Sequence, residues 1–163
     1  MDFYEDLLKA LEEHHIRYLV VGGVAVILHG FVRATADLDL LVGLESKNVD
    51  AFLALMGKRG YKPKIPVSLD DFKVPENRRK WKTDKGMIVF SLFHPHHSQE
   101  LVDIFIEEPI PFDDAYKRRV MVPLGATHIS VASSEDLITL KQKAGRPQDI
   151  QDIQALKGLK KHL

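Results

Sequence analysis

Val20-Val21-Gly22-Gly23-Val24-Ala25-Val26-Ile27-Leu28-His29-Gly30, continuing through Phe31-Val32-Arg33-Ala34-Thr35-Ala36 into Asp37-Leu38-Asp39-Leu40-Leu41-Val42, is the stretch on which the fold of this chain turns. Tyr18 to Val21 is a short apolar strand that ends in a glycine pair. Val24 to His29 has the pattern of a helix closed by Gly30, and Leu38 to Val42 is the next strand. Glycine lets the backbone approach a phosphate closely, and free N–H groups at a helix start favour anions. Asp37 and Asp39 are two apart on a strand, so both side chains leave the same face about 6–7 Å apart along the backbone. Leu38, Leu40 and Val42 point the other way, into a core. Two carboxylates converging on one point repel unless a cation neutralises them. Hard oxygen ligands without sulfur or an evident histidine partner favour Mg²⁺ or Mn²⁺. Separately, the glycine pair reads as a turn and Asp-x-Asp as a polar strand edge. In this order they supply a phosphate cradle and a cation seat within one supersecondary unit.

Outward from that unit, residues 3–15 read as a helix, with Phe3, Leu7, Leu8 and Leu11 at helical spacing. Asn48 to Arg59 is an amphipathic helix stopped by Gly60. Residues 61–80 hold Pro63, Pro66 and Pro75 and show no regular pattern. Asp84-Lys85-Gly86 reads as a turn into a strand at Met87–Phe93. The loop His94-Pro95-His96-His97 leads to a strand at Leu101–Ile106, and these two strands are expected to pair antiparallel. Phe112 to Arg118 reads as a short helix, followed by extended segments near 119–123 and 128–132. Ser133-Ser134-Glu135-Asp136 is a capping-box pattern ahead of a helix that Gly145 stops. Pro147 opens the next helix, with Ile150, Ile153, Leu156 and Leu159 as its expected buried stripe. Strands and helices without regular alternation predict an α+β fold: a mixed β-sheet flanked by helices, ending in a C-terminal helical pair. We expect one domain over 1–163, with its core at 16–106 and the helical segment at 133–163.

Lysine plus arginine equal aspartate plus glutamate at 23 each, so the net charge is zero and a nucleic-acid coat protein is disfavoured. Local basic patches remain at Lys73–Lys85, around Trp81, and at Lys117-Arg118-Arg119; such runs usually form solvated faces. There is no cysteine, which excludes disulfides and thiolate metal sites and fits a cytoplasmic setting. No apolar run approaches the ~20 residues that cross a bilayer. The N-terminal MDFYEDLLKALEE reads as neither signal nor transit peptide. His94, His96 and His97 lack a partner with zinc-finger or HExxH spacing, so zinc is not expected.

The Gly-Gly, helix, Asp-x-Asp segment resembles the nucleotidyltransferase superfamily typified by DNA polymerase β. That signature is Gly-Gly or Gly-Ser, a short helix, then Asp-x-Asp or Asp-x-Glu. The variant Gly-Gly…His-Gly…Arg-x-Thr-x-Asp-Leu-Asp looks closest to the AbiEii-type branch, which includes type IV toxins of toxin–antitoxin systems. That branch also shows a pattern like Leu140-Lys141…Gly145-Arg146…Asp149…Asp152-Ile153…Leu156. Gly23, where many relatives have serine, removes a hydroxyl contact but keeps the backbone cradle. The resemblance implies a third carboxylate on a neighbouring strand. Asp103, the only polar residue in Leu101–Ile106, is the candidate; Asp84, Asp70 and Asp71 fall in turn or loop. Lys141 and Arg146 match basic positions that neutralise a triphosphate, and Arg33 and Thr35 are placed to position phosphate or the aspartates.

The expected function is therefore metal-dependent transfer of a nucleoside monophosphate from an NTP to an acceptor hydroxyl. The expected catalytic and metal residues are Asp37, Asp39 and Asp103. Gly22, Gly23, Arg33, Thr35, Lys141 and Arg146 are the expected nucleotide contacts. An RNA acceptor, in a toxin-like enzyme with an antitoxin partner, is one form of this. A small-molecule, antibiotic-type acceptor is another, and a nucleotide-binding regulatory module without turnover is a third. Type IV toxins are usually larger, and no second domain to grip a tRNA or protein acceptor is expected in these 163 residues.

Overall fold

The computed structural model describes residues 2–161. Helix α1 (Asp2–Glu13) leads into β1 (Tyr18–Val21), α2 (Gly22–Leu28), β2 (Asp37–Val42) and α3 (Ser46–Lys58). The short strand β3 (Lys62–Pro63), a 3-10 turn (Leu69–Lys73), α4 (Pro75–Lys85), β4 (Val89–His94) and β5 (His97–Phe105) follow. The chain ends with α5 (Phe112–Lys117), β6 (Val120–Leu124), β7 (Thr127–Val131), α6 (Ser134–Ala144) and α7 (Pro147–Lys161). The seven strands make one mixed sheet in the order β3-β4-β5-β2-β1-β7-β6. β1 runs antiparallel to β2, while β2 and β5 are parallel, and β4 and β5 form the expected antiparallel pair.

Strand alternation decides what each face carries. On one face Leu38, Leu40, Val102, Ile104, Phe90 and Leu92 are wholly buried. Leu7, Leu8 and Leu11 of α1 belong to the same core, and the Tyr18 hydroxyl meets Glu12 of α1 at 2.7 Å. The other face of β2, β5 and β4 carries Asp37, Asp39, Asp103 and Ser91, all only half-buried. Helix α2 starts on this second face, because Gly22 lies against the Asp39 carboxylate. The result is a polar sheet face with β2, β5 and β4 as floor and the start of α2 along one side.

Several local expectations need correction. Asp84 and Lys85 end α4 rather than opening a turn, and Gly86 closes that helix in the left-handed conformation. Pro75 occupies the first turn of α4, where its missing N–H costs nothing. The basic run Lys73–Lys85 is therefore helical, and much of its charge is locally matched: Lys73 to Asp70, Arg79 to Glu76 and Lys82 to Glu107. Arg118 pairs with Asp136 through two hydrogen bonds, and the Arg119 guanidinium sits 3.9 Å from the Tyr116 ring centre. These residues of the two patches are engaged locally. In α7, Leu156 is buried but Ile150 is 55% exposed, so the helix is rotated from the expected stripe. Asp149 and Asp152 face inward instead, for a reason given below. The side chains of Phe3 and Leu159 lie outside the described residues. No helix among the described residues is long and apolar enough to cross a membrane.

Candidate active site

Asp37 and Asp39 leave the same face of β2, and Asp39 is the direct register partner of Asp103 on β5. Adjacent strands lie about 4.8 Å apart, so these two carboxylates are side-by-side neighbours. Ser91 of β4 continues the row beyond Asp103. Among the described residues, none donates a hydrogen bond to the carboxylates of Asp37, Asp39 or Asp103 or forms an ion pair with them. Three acids on one face without a donor repel one another. Burial, then the charges of Asp103 and Asp37, push the Asp39 carboxyl up to about 7. The positive charges of Arg146 and Lys141 oppose that rise. Burial and Asp103 also raise Asp37, with Lys64 acting against them.

This donor set fits a hard divalent cation: all oxygen, no sulfur, and carboxylates that gain no protein partner. Among the described residues, no three acids or histidines are drawn together as a closed metal cage. The histidine loop forms the β4–β5 turn. The His94 ring hydrogen-bonds the Arg59 carbonyl at 2.9 Å, and its other nitrogen accepts the His96 backbone N–H at 3.2 Å.

The glycines are required by contact. Gly22 has φ +67°, and a Cβ there would run into the Asp39 carboxylate. At Gly23 a Cβ would lie 2.6 Å from the Thr35 hydroxyl oxygen and 3.2 Å from the Arg33 guanidinium carbon. Arg33 and Thr35, from the loop before β2, therefore fold back onto the start of α2. His29 ends α2, and its ring meets the Ala132 carbonyl at 2.8 Å, tying α2 to the chain ahead of α6.

Lys141 and Arg146 also come to this side, but not as free cations. The Lys141 ammonium is 2.8 Å from Asp152 and 3.6 Å from Asp149. Arg146 holds Asp149 with its guanidinium at 2.8 and 3.3 Å and with its backbone N–H at 3.0 Å. Arg33 reaches the same Asp152 at 2.6 Å. Burial raises the Asp149 carboxyl, but the Arg146 contacts and Lys141 outweigh it and hold the group below its usual range. Sequence reasoning gave Asp149 and Asp152 no role. Their i, i+3 spacing, in phase with buried Leu156, was the available signal.

One more residue was missed. The Tyr4 hydroxyl of α1 donates to the Ala36 carbonyl at 2.5 Å and accepts the Leu101 N–H at 3.3 Å. It thereby pins the residue before Asp37 to the strand that carries Asp103. A tyrosine four residues from the chain start gives no such signal in sequence.

A glycine pair opens a helix against an Asp-x-Asp strand, with a third acid beside it on a mixed sheet, the arrangement expected of a nucleotidyltransferase. The chain belongs to a family described as nucleotidyltransferases of unknown function (DUF6036), whose model matches residues 2–161. The fold is similar to the lincomycin-bound lincosamide antibiotic adenylyltransferase LnuA, with a TM-score of 0.63 and 18% identity over 96% of this chain and 94% of that one. It is also similar to an antigenic nucleotidyltransferase-like protein from Paracoccidioides brasiliensis, at TM-score 0.62 and 18% identity over 97% and 75% of the two chains. ANT(2")-Ia in complex with adenylyl-2"-tobramycin matches at TM-score 0.59 and 14% identity, over 95% and 86%. No curated protein matches the sequence significantly.

Proposed function

We propose that this nucleotidyltransferase transfers a nucleoside monophosphate from an NTP to a hydroxyl of a small molecule, at the polar face made by the β2–β5–β4 floor and the start of α2. The observation that carries the reading is the donor-free row Asp37, Asp39 and Asp103 facing the Gly22–Gly23 turn. Asp37, Asp39 and Asp103 would hold Mg²⁺ or Mn²⁺, which supplies charge neutralisation on the phosphates and at the attacking oxygen. The acceptor oxygen bonds to the α-phosphorus, the bond from that phosphorus to the bridging oxygen breaks, and pyrophosphate leaves. Asp103 accepts the acceptor's proton, and Asp39 beside it orients the reacting groups. Gly22 and Gly23 offer close backbone approach to the phosphates, and Thr35 offers a hydroxyl. Arg33 and Arg146 bind phosphate oxygens, with the Lys141 charge behind them. Positioning and fixed electrostatics then supply most of the rate.

A small-molecule acceptor is favoured by the zero net charge and by the fold likeness to two antibiotic-modifying enzymes, LnuA nearly over its full length. A second reading, an RNA acceptor in a toxin-like enzyme of the AbiEii type, draws on the Arg33-x-Thr35-x-Asp37 segment. The antitoxin partner it calls for has no support in the fold. The test is incubation with each α-labelled NTP, Mg²⁺ or Mn²⁺, total RNA, and a panel of hydroxylated small molecules. Label in the small-molecule fraction supports the proposal, label in RNA moves the enzyme to the second reading, and no label in either refutes both.

A further inference from the structure

Arg33, Asp152, Lys141, Asp149 and Arg146 form one continuous line of charge beside the polar sheet face, with cations at both ends and in the middle. The middle is buried: Asp149 and Asp152 are 1% and 2% exposed, and Lys141 is 5% exposed. The ends are more open, above all Arg146, whose side chain is 75% exposed. One oxygen of Asp152 accepts from both Arg33 (2.6 Å) and Lys141 (2.8 Å), and the other accepts from the Gln148 amide at 3.1 Å. Burying three charges between α6 and α7 is costly in desolvation, and apolar residues of like volume would pack the same contact without that cost. The contact does explain the rotation of α7: its two aspartates turn inward to meet Lys141, which leaves Ile150 in solvent.

We propose that Asp152 and Asp149 are positioning residues, which aim the Arg33 and Arg146 guanidinium groups at the nucleotide phosphates with Lys141 as their shared buried counter-ion. This rests on the reading that the two arginines face the triphosphate. Each aspartate takes part of a guanidinium fork, the Arg33 Nε–H donates to the Ala34 carbonyl at 3.2 Å, and the remaining N–H groups are left to an incoming anion. Arg33 is thereby held against the position of Gly23, and Arg146 is fixed at the start of α7 by three bonds to a single carboxylate.

The two kinds of role predict opposite signs. Removing a negative charge beside cations strengthens anion binding if charge alone matters, and weakens it if aim matters. Inorganic tripolyphosphate with Mg²⁺ is titrated calorimetrically into the full chain carrying Asp152→Asn, with thermal melts setting a temperature at which each protein is folded. We expect affinity to fall roughly tenfold, the scale of one charge-assisted hydrogen bond, despite the added positive charge. Asp152→Glu keeps the charge, moves the carboxylate by one methylene and serves if the asparagine variant does not fold; it weakens binding in the same direction but less. Arg33→Ala and Arg146→Ala test the underlying reading. Lost affinity in the arginine variants with equal or tighter binding in folded Asp152 variants overturns the positioning role alone. Normal affinity in both arginine variants, or no binding by the wild type, overturns the phosphate reading and this inference with it.

Discussion

Asp39→Asn, measured without metal, isolates the electrostatic tension on which the site is built. The carboxyl of Asp39 moves from an ordinary 3.8 up to about 7 on folding, by burial first and by Asp103 and Asp37 next. The folded protein therefore holds a proton that the unfolded chain has released. Below about pH 4 both states are protonated, and Asp39 carries no penalty. From there to about pH 7 the unfolded chain ionises first, so stability falls as pH rises; above pH 7 the full penalty applies. At about 1.4 kcal/mol per pH unit the displacement corresponds to about 4 kcal/mol. The Asp37 carboxyl is raised as well and takes part of the proton uptake, so we expect Asp39→Asn to be more stable than wild type by about 2–4 kcal/mol at pH 8. The difference should vanish near pH 4. For a chain of this size that is a rise in melting temperature of roughly 5–10 °C. Thermal melts in EDTA between pH 4 and pH 8.5 read it directly. A variant less stable than wild type at pH 8, or a difference that ignores pH, would refute the reasoning.

Gly22→Ala forces a Cβ into the Asp39 carboxylate at a positive φ, so nucleotide transfer should fall at least tenfold, with a loss of about 1–3 kcal/mol in urea unfolding. Wild-type turnover in that variant would show that the close approach is not needed. Tyr4→Phe removes the bridge between Ala36 and Leu101, so kcat should drop several-fold while the KM for NTP stays near wild type; a change in KM alone would place the tyrosine on the nucleotide side. Lys141→Met leaves Asp149 and Asp152 without their shared cation and should cost about 3–5 kcal/mol in chemical denaturation. A loss under 1 kcal/mol would mean that the two arginines neutralise the aspartates alone.

The glycine pair and Asp37-x-Asp39 were legible because all their meaning is local: strand, turn, helix and strand follow within about two dozen residues. Asp103 was legible for a different reason, as a lone acid in an apolar strand, and the register beside Asp39 is where the resemblance required a third carboxylate. Helix α4 was not legible. Its inward residues are Arg78 and Trp81, so it shows no apolar stripe, and Arg78 is buried by bonding the Phe72 carbonyl of the preceding turn. The face of α7 was misjudged on the same ground. Hydrophobic spacing favoured Ile150, but partners on α6 and in the loop before β2 turned Asp149 and Asp152 inward. Apolar periodicity does not register contacts between charged groups, although the i, i+3 spacing of Asp149 and Asp152 does put them on the face of Leu156. Tyr4 belongs with them, since its partners lie 32 and 97 residues away.

The central claim is that Asp37, Asp39 and Asp103 act together on one divalent cation and the nucleotide. Titration of Mn²⁺ into the protein with a non-hydrolysable NTP, followed by the spectroscopic signal of free Mn²⁺, tests it without knowledge of the acceptor. The account predicts nucleotide-dependent Mn²⁺ binding by wild type, and at least a tenfold loss in Asp39→Asn and in Asp103→Asn while both variants melt no lower than wild type. Undiminished Mn²⁺ binding in either folded variant would contradict it.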